Sequence, residues 1–77
     1  MKLHEAITQR VKNLLEQKGL NQYALFKQGG IPRSTISTLI NFNIKKISTD
    51  LIYQICATLD ISLRDFFDDP LFDNLED

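Results

Sequence analysis

Arg33, Ser34, Ser37, Thr38 and Asn41 follow one another at spacings of one, three, one and three. On a helix that turns about 100° per residue, these five share one side, while Ile36, Leu39 and Ile40 share the other. All five form hydrogen bonds, one is cationic, none is acidic, and apart from Arg33 they are short. Their chemistry is recognition rather than bond making. Hydroxyl and amide groups on so low a surface can reach base edges and phosphates, and a guanidinium can hold guanine O6 and N7 together. A merely solvated face would be expected to use Glu and Lys, because Ser and Thr are weaker helix formers.

Residues suited to other chemistry are scattered. His4 is the only histidine and has no neighbour that would complete a ligand set or activate a nucleophile. Cys56 is the only cysteine, lies on an apolar helix side and reads as a core residue rather than a reactive thiol. Gly29-Gly30 is not a phosphate loop, since no strand precedes it and no lysine follows at the required spacing. The C-terminal aspartates lack the order of a calcium loop. The expectation is a protein that is not an enzyme and has no cofactor or metal.

The elements that must carry the polar arc can be read outward from it. Pro32 has no N–H to lose and a φ suited to a first turn, so it is expected to open the recognition helix. Before it, Asn21 can cap a short helix over Gln22 to Gln28, and Leu20 can meet Leu25 as a hydrophobic staple. Gly29-Gly30 ends that helix, the second glycine taking positive φ in a tight turn. Leu3, Ile7, Val11 and Leu14, widened by Leu15, form the apolar stripe of a first helix over residues 3 to 18, which Gly19 stops. Ser48 caps a fourth helix that buries Ile52, Ile55 and Leu59, with Leu51 and Cys56 nearby. At its end, Asp60 stands where glycine would ease the stop. Ser62 and Asp65 open a fifth helix at capping-box spacing, with Phe66 completing the core and Phe67 half exposed.

Seventy-seven residues, 43% hydrophobic and 25% charged, make one ordinary globular domain and exclude a disordered or fibrous chain. No apolar run approaches the length of a membrane span, the start lacks a signal-peptide core, and one cysteine suits a reducing compartment, so a cytoplasmic location is expected. The net charge of −1 conceals an asymmetry. Residues 1–47 carry eight cations against two acidic groups, or +6, and residues 48–77 carry one against eight, or −7. This pattern implies a cationic surface for an anionic partner and an acidic end directed elsewhere.

Residues 7 to 67 resemble, without a gap, the Xre/Cro-type helix-turn-helix domain of phage repressors, most of all the small regulators of Gram-positive bacteria and their prophages. The resemblance is carried by Leu20-Asn21-Gln22, Leu25, Gly30, the run IPRSTIS, Ile36, Leu39, Ile52, Ile55-Cys56, Leu59 and the closing run Ile61 to Phe67. It implies an all-α, five-helix, lambda-repressor-like fold with the helix-turn-helix at helices two and three. By position, it implies that Arg33, Ser34, Thr38 and Ser37 reach base edges in double-stranded DNA. Gln22, Thr35, Asn41, Asn43, Lys45 and Lys46 then meet the backbone, with the phosphate at Gln22 favoured by the positive end of helix two.

Three departures from the family pattern involve four residues. Phe26 replaces a small residue and is expected to hold the motif helices farther apart. Leu15 and Ile40 replace an arginine–glutamate pair and are expected to pack together. Phe42 stands where glycine commonly follows helix three, which alters the loop over 42 to 47.

The organisation expected is a DNA-binding domain over 1–69 and an acidic tail over 70–77, either frayed or dimer-associated through Phe67, Leu71, Phe72 and Leu75. The function expected is a regulator, a repressor that binds an inverted-repeat operator as a homodimer and responds to no small-molecule effector. The competing expectation keeps the fold as a protein-interaction module, such as an antitoxin or adaptor, that binds a protein through helix three or the apolar tail.

Overall fold

The computed structural model describes residues 1–76 and consists of five α-helices, α1 Leu3–Gln17, α2 Tyr23–Lys27, α3 Arg33–Ile40, α4 Thr49–Leu59 and α5 Leu63–Phe67, followed by a 3-10 turn over Pro70–Phe72. Helix α1 buries Ile7, Val11, Leu14 and Leu15. Leu3, expected in the same stripe, is instead 50% exposed. The buried face has shifted to include Ala6, Thr8 and Arg10, because the chain after α5 comes back against α1. Gly19 (φ +66°) ends the helix, and Leu20 N–H donates to the Leu15 carbonyl at 2.8 Å, closing a Schellman turn.

Helix α2 is one residue shorter at each end than the sequence implies. Gln22 rather than Asn21 takes the N-cap position, but the Asn21 side chain still accepts from Tyr23 N–H at 3.0 Å, and Leu20 packs against the core that contains Leu25. Gly30 (φ +68°) makes the turn into α3. Gly29 is required for another reason: a Cβ there would overlap the Thr58 hydroxyl on α4 and lie 2.8 Å from the Leu25 carbonyl oxygen.

Helix α3 buries Ile36 and Leu39, with Ile40 half-buried against the cluster that contains Leu15. Its end is a second Schellman turn in which Asn43 N–H donates to Thr38 O at 2.9 Å and Phe42 N–H to Leu39 O at 3.0 Å. Phe42 therefore adopts φ +60° at the glycine position, and its half-buried ring receives the Lys12 ammonium 5.1 Å from the centroid.

Ser48 caps α4 by accepting from Leu51 N–H at 3.1 Å, and Ile52, Ile55, Cys56 and Leu59 are buried. Asp60 closes α4 in the left-handed region at φ +57°. Ser62 caps α5 through Asp65 N–H at 3.0 Å, and Phe66 is fully buried. Burial pushes the Cys56 thiol above its ordinary value of 9.0, partly opposed by the charge of Arg10.

The chain beyond α5 is tied to α1. Arg10, 8% exposed, donates from Nε to Phe66 O at 2.8 Å, from Nη2 to Asp65 O at 2.8 Å and from Nη1 to the Asp69 carboxylate at 3.0 Å. Asp69 caps the following turn by accepting from Leu71 N–H at 2.9 Å. Phe72 then joins an aromatic cluster, its ring 6.2 Å from Phe66 and 5.1 Å from Phe67. Glu76 N–H donates to Met1 O at 3.0 Å, and the Glu76 carboxylate pairs with the Met1 ammonium. The hydrogen bond from the Met1 ammonium, and then its positive charge, hold the Glu76 carboxyl below its ordinary range.

Candidate nucleic-acid interface

Burial of Ile36 and Leu39 turns the opposite side of α3 outward, and Arg33, Ser34, Ser37, Thr38 and Asn41 are all exposed there, with Thr35 half-buried at the margin. The hydrogen bonds within this surface decide what each group can still offer. Thr38 Oγ1 donates to Ser34 O at 2.8 Å, so its proton is spent and its lone pairs remain to accept. Asn41 Nδ2 donates to Ser37 Oγ at 3.4 Å, leaving the amide oxygen free. The Ser34 hydroxyl has no partner among the described residues.

Gln22 is exposed beside α3 and lines, with Tyr23, Phe26, Arg33, Ile36 and Ser37, a notch of about 280 Å³ between α2 and α3. Asn43, Lys45 and Lys46 are exposed in the loop after α3. The two lysines do not line the α2–α3 notch. They join Lys2 and His4 from the start of α1 around a separate hollow, whose rim also includes Glu76. The interface thus has a polar, hydroxyl-rich centre on α3 and a cationic flank at one end.

Phe26 lies at the outer edge of the α2–α3 notch rather than in the core between the motif helices. Ala24 is the buried α2 residue that faces inward with Leu25, while Phe26 is 36% exposed. Its ring lies under Arg33, whose guanidinium carbon is 4.6 Å from the Phe26 centroid and 5.2 Å from that of Tyr23. Arg33 Nη2 also donates to the Tyr23 hydroxyl at 3.3 Å. The i, i+3 spacing of Tyr23 and Phe26 places both on one side of α2. That side meets Arg33 only because the glycine turn brings α3 across it.

Among the described residues there is no group of three His, Cys, Asp or Glu side chains able to hold a metal, and no helix is long and apolar enough to cross a membrane. Residues 10–70, which span all five helices but the first turns of α1, match the model of the Cro/C1-type HTH DNA-binding domain. The chain belongs to this family. As a Cro/C1-type domain it is a DNA-binding module whose helix-turn-helix is α2, the Gly29-Gly30 turn and α3.

A solved structure, the crystal structure of the prophage Lp1 protein 11, is similar at 28% identity with a TM-score of 0.82, over 97% of this chain and 100% of that one. No curated protein matches significantly. A prophage protein with the same fold agrees with the phage-repressor resemblance carried by IPRSTIS and the run from Ile61 to Phe67.

Proposed function

We propose that the protein is a sequence-specific transcriptional regulator of the cytoplasm, a repressor that occupies an inverted-repeat operator as a homodimer with α3 in the major groove. The observation that carries this reading is the outward side of α3. There a Cro/C1-type domain presents Arg33, Ser34, Ser37 and Thr38, all exposed and none acidic. In a helix-turn-helix the second helix enters the major groove with its N-terminal residues toward the base edges. Arg33 and Ser34, in the first turn of α3, suit that role, with Ser37 and Thr38 one turn on.

Gln22, Thr35, Asn41, Asn43, Lys45 and Lys46 flank this centre and are assigned to phosphates, which position the duplex without reading it. Residues 1–69 form the DNA-binding unit in this proposal, and the segment from 70 is associated with dimerisation. Phe67 supports this, being 41% exposed at the edge of an aromatic cluster with Phe72, while Leu71, Phe72 and Leu75 are half-buried within the same chain. Residue 77 lies outside the described residues. Two copies of α3 about one DNA turn apart, roughly 34 Å, would match two half-sites of the operator.

Selection of bound duplexes from a random pool tests the proposal. The expected result is a palindromic motif whose affinity falls by orders of magnitude between ~50 and ~200 mM salt as counterions are released. Absence of enrichment, together with binding to a protein partner that is insensitive to salt, would refute it in favour of an interaction module.

A further inference from the structure

Arg33 is the only strong cation on α3, and no carboxylate pairs with it among the described residues. What holds it is aromatic. Its guanidinium carbon lies 4.6 Å from the Phe26 centroid and 5.2 Å from the Tyr23 centroid, and the two rings, tilted by 40° with centroids 5.9 Å apart, form adjoining walls. We propose that Tyr23 and Phe26 are a platform that preorganises Arg33 for a guanine edge, so that two residues of α2 set sequence specificity without touching a base. This inference rests on the reading of Arg33 as a base-contacting residue.

The chemistry of the two contacts is compatible. A cation–π contact uses the face of the guanidinium, whereas a bidentate bond to guanine O6 and N7 uses two N–H groups in its plane. Of five such donors, one on Nη2 is engaged by the Tyr23 hydroxyl at 3.3 Å, leaving enough for the fork. An acidic partner would have to be dislodged before DNA could be read and would repel phosphate as well. The rings impose neither cost. They also remove rotamer freedom that a free arginine would lose only on binding.

The exposure of the pair argues against a packing role. Tyr23 is 43% and Phe26 36% exposed, and neither belongs to the core cluster. Phe26 is the better probe, because the Lys27 ammonium also lies over the Tyr23 ring, 5.6 Å from its centroid, whereas Phe26 carries Arg33 alone.

The experiment measures affinity for the selected operator and for a version with the Arg33-dependent base pair exchanged. It uses the wild type, Phe26→Ala, Phe26→Trp, Arg33→Ala and the double variant Phe26→Ala/Arg33→Ala. Phe26→Ala is expected to lower discrimination at that base pair about two- to fivefold, the range an exposed cation–π contact supports, with affinity for unrelated DNA unchanged. Phe26→Trp should retain discrimination, and the double variant should discriminate no worse than Arg33→Ala. In the free protein, Arg33 side-chain proton resonances should be shifted upfield by the rings, a shift lost in Phe26→Ala.

Full discrimination in Phe26→Ala, or equal weakening on every duplex, would overturn the platform while leaving Arg33 as a reader. Unaltered discrimination in Arg33→Ala would instead overturn the base-contact reading, and the platform with it. Absence of the ring-current shift in the wild type would overturn the geometry directly.

Discussion

Removing Arg10 should undo more of this domain than any other single polar deletion. Its guanidinium, 8% exposed, donates to two backbone carbonyls at 2.8 Å and to Asp69 at 3.0 Å, joining α1 to the end of α5 and to the turn that follows. In Arg10→Ala, Phe66 O and Asp65 O lose charged donors worth about 1.5–3 kcal/mol each, and a carboxylate that is 23% exposed loses its counter-charge. Breaking a buried pair costs about 3–5 kcal/mol, and the partial exposure of Asp69 favours the low end, near 3 kcal/mol.

A chain of 77 residues has about 4–12 kcal/mol in all, so the loss is a quarter or more of the total and should lower Tm by about 12–24 °C. Asp69→Asn removes the counter-charge and one of two acceptors, because Oδ2 accepts from Arg10 and Oδ1 from Leu71 N–H, while both carbonyl contacts of Arg10 persist, so its expected cost is about 1–1.5 kcal/mol, well below that of Arg10→Ala. Urea denaturation followed by circular dichroism measures both variants, and a smaller m-value for Arg10→Ala would indicate that the C-terminal segment has already left α1. A loss under about 1 kcal/mol in Arg10→Ala, or equal losses in the two variants, would refute the clasp.

Gly29→Ala should cost about 1–3 kcal/mol by overpacking, because the new methyl meets the Thr58 hydroxyl and the Leu25 carbonyl. Adding Thr58→Ala should recover only part of the loss, as read by thermal melts, since the carbonyl remains 2.8 Å away. On DNA, Arg33→Ala should relax sequence preference, whereas Lys45→Ala should weaken all duplexes alike and reduce the salt slope by about one, as a titration across salt concentrations would reveal. The Cys56 thiol is 1% exposed and its pKa is raised by burial, so the unfolded chain ionises there first. Its contribution to stability is therefore complete below pH 9.0 and lost as pH rises from 9.0 through the higher folded value, and alkylation near neutral pH should proceed only at the rate of opening.

Much of the architecture was legible because local rules and the global fold agree. Ser48 and Ser62 cap helices, Gly19 and Gly30 take positive φ, and Ile36 with Leu39 face inward, each as residue type and periodicity imply. The outward arc of α3 follows from that same periodicity: once its apolar side is buried, Arg33, Ser34, Ser37, Thr38 and Asn41 are left on the exposed side.

Phe26 and Arg10 were not legible, since their roles depend on partners distant in space or in chain. Phe26 resembles a bulky intruder in the motif until the turn angle sets α3 across the outer side of α2, where the ring supports Arg33. Arg10 resembles a surface cation on a polar face of α1. Its partners are 55 to 59 residues away, and only the return of the chain after α5 makes that face interior.

By itself, the sequence determined the five helices, the serine caps of α4 and α5 and the polar side of α3, because hydrogen bonding at helix ends and a 3.6-residue period act within a few residues. Tertiary structure alone decided that Gly29 is needed for the approach of α4, that Phe42 takes a glycine conformation beneath Lys12, and that the acidic segment is clasped to α1. These depend on distances between helices, which no periodicity along one helix encodes.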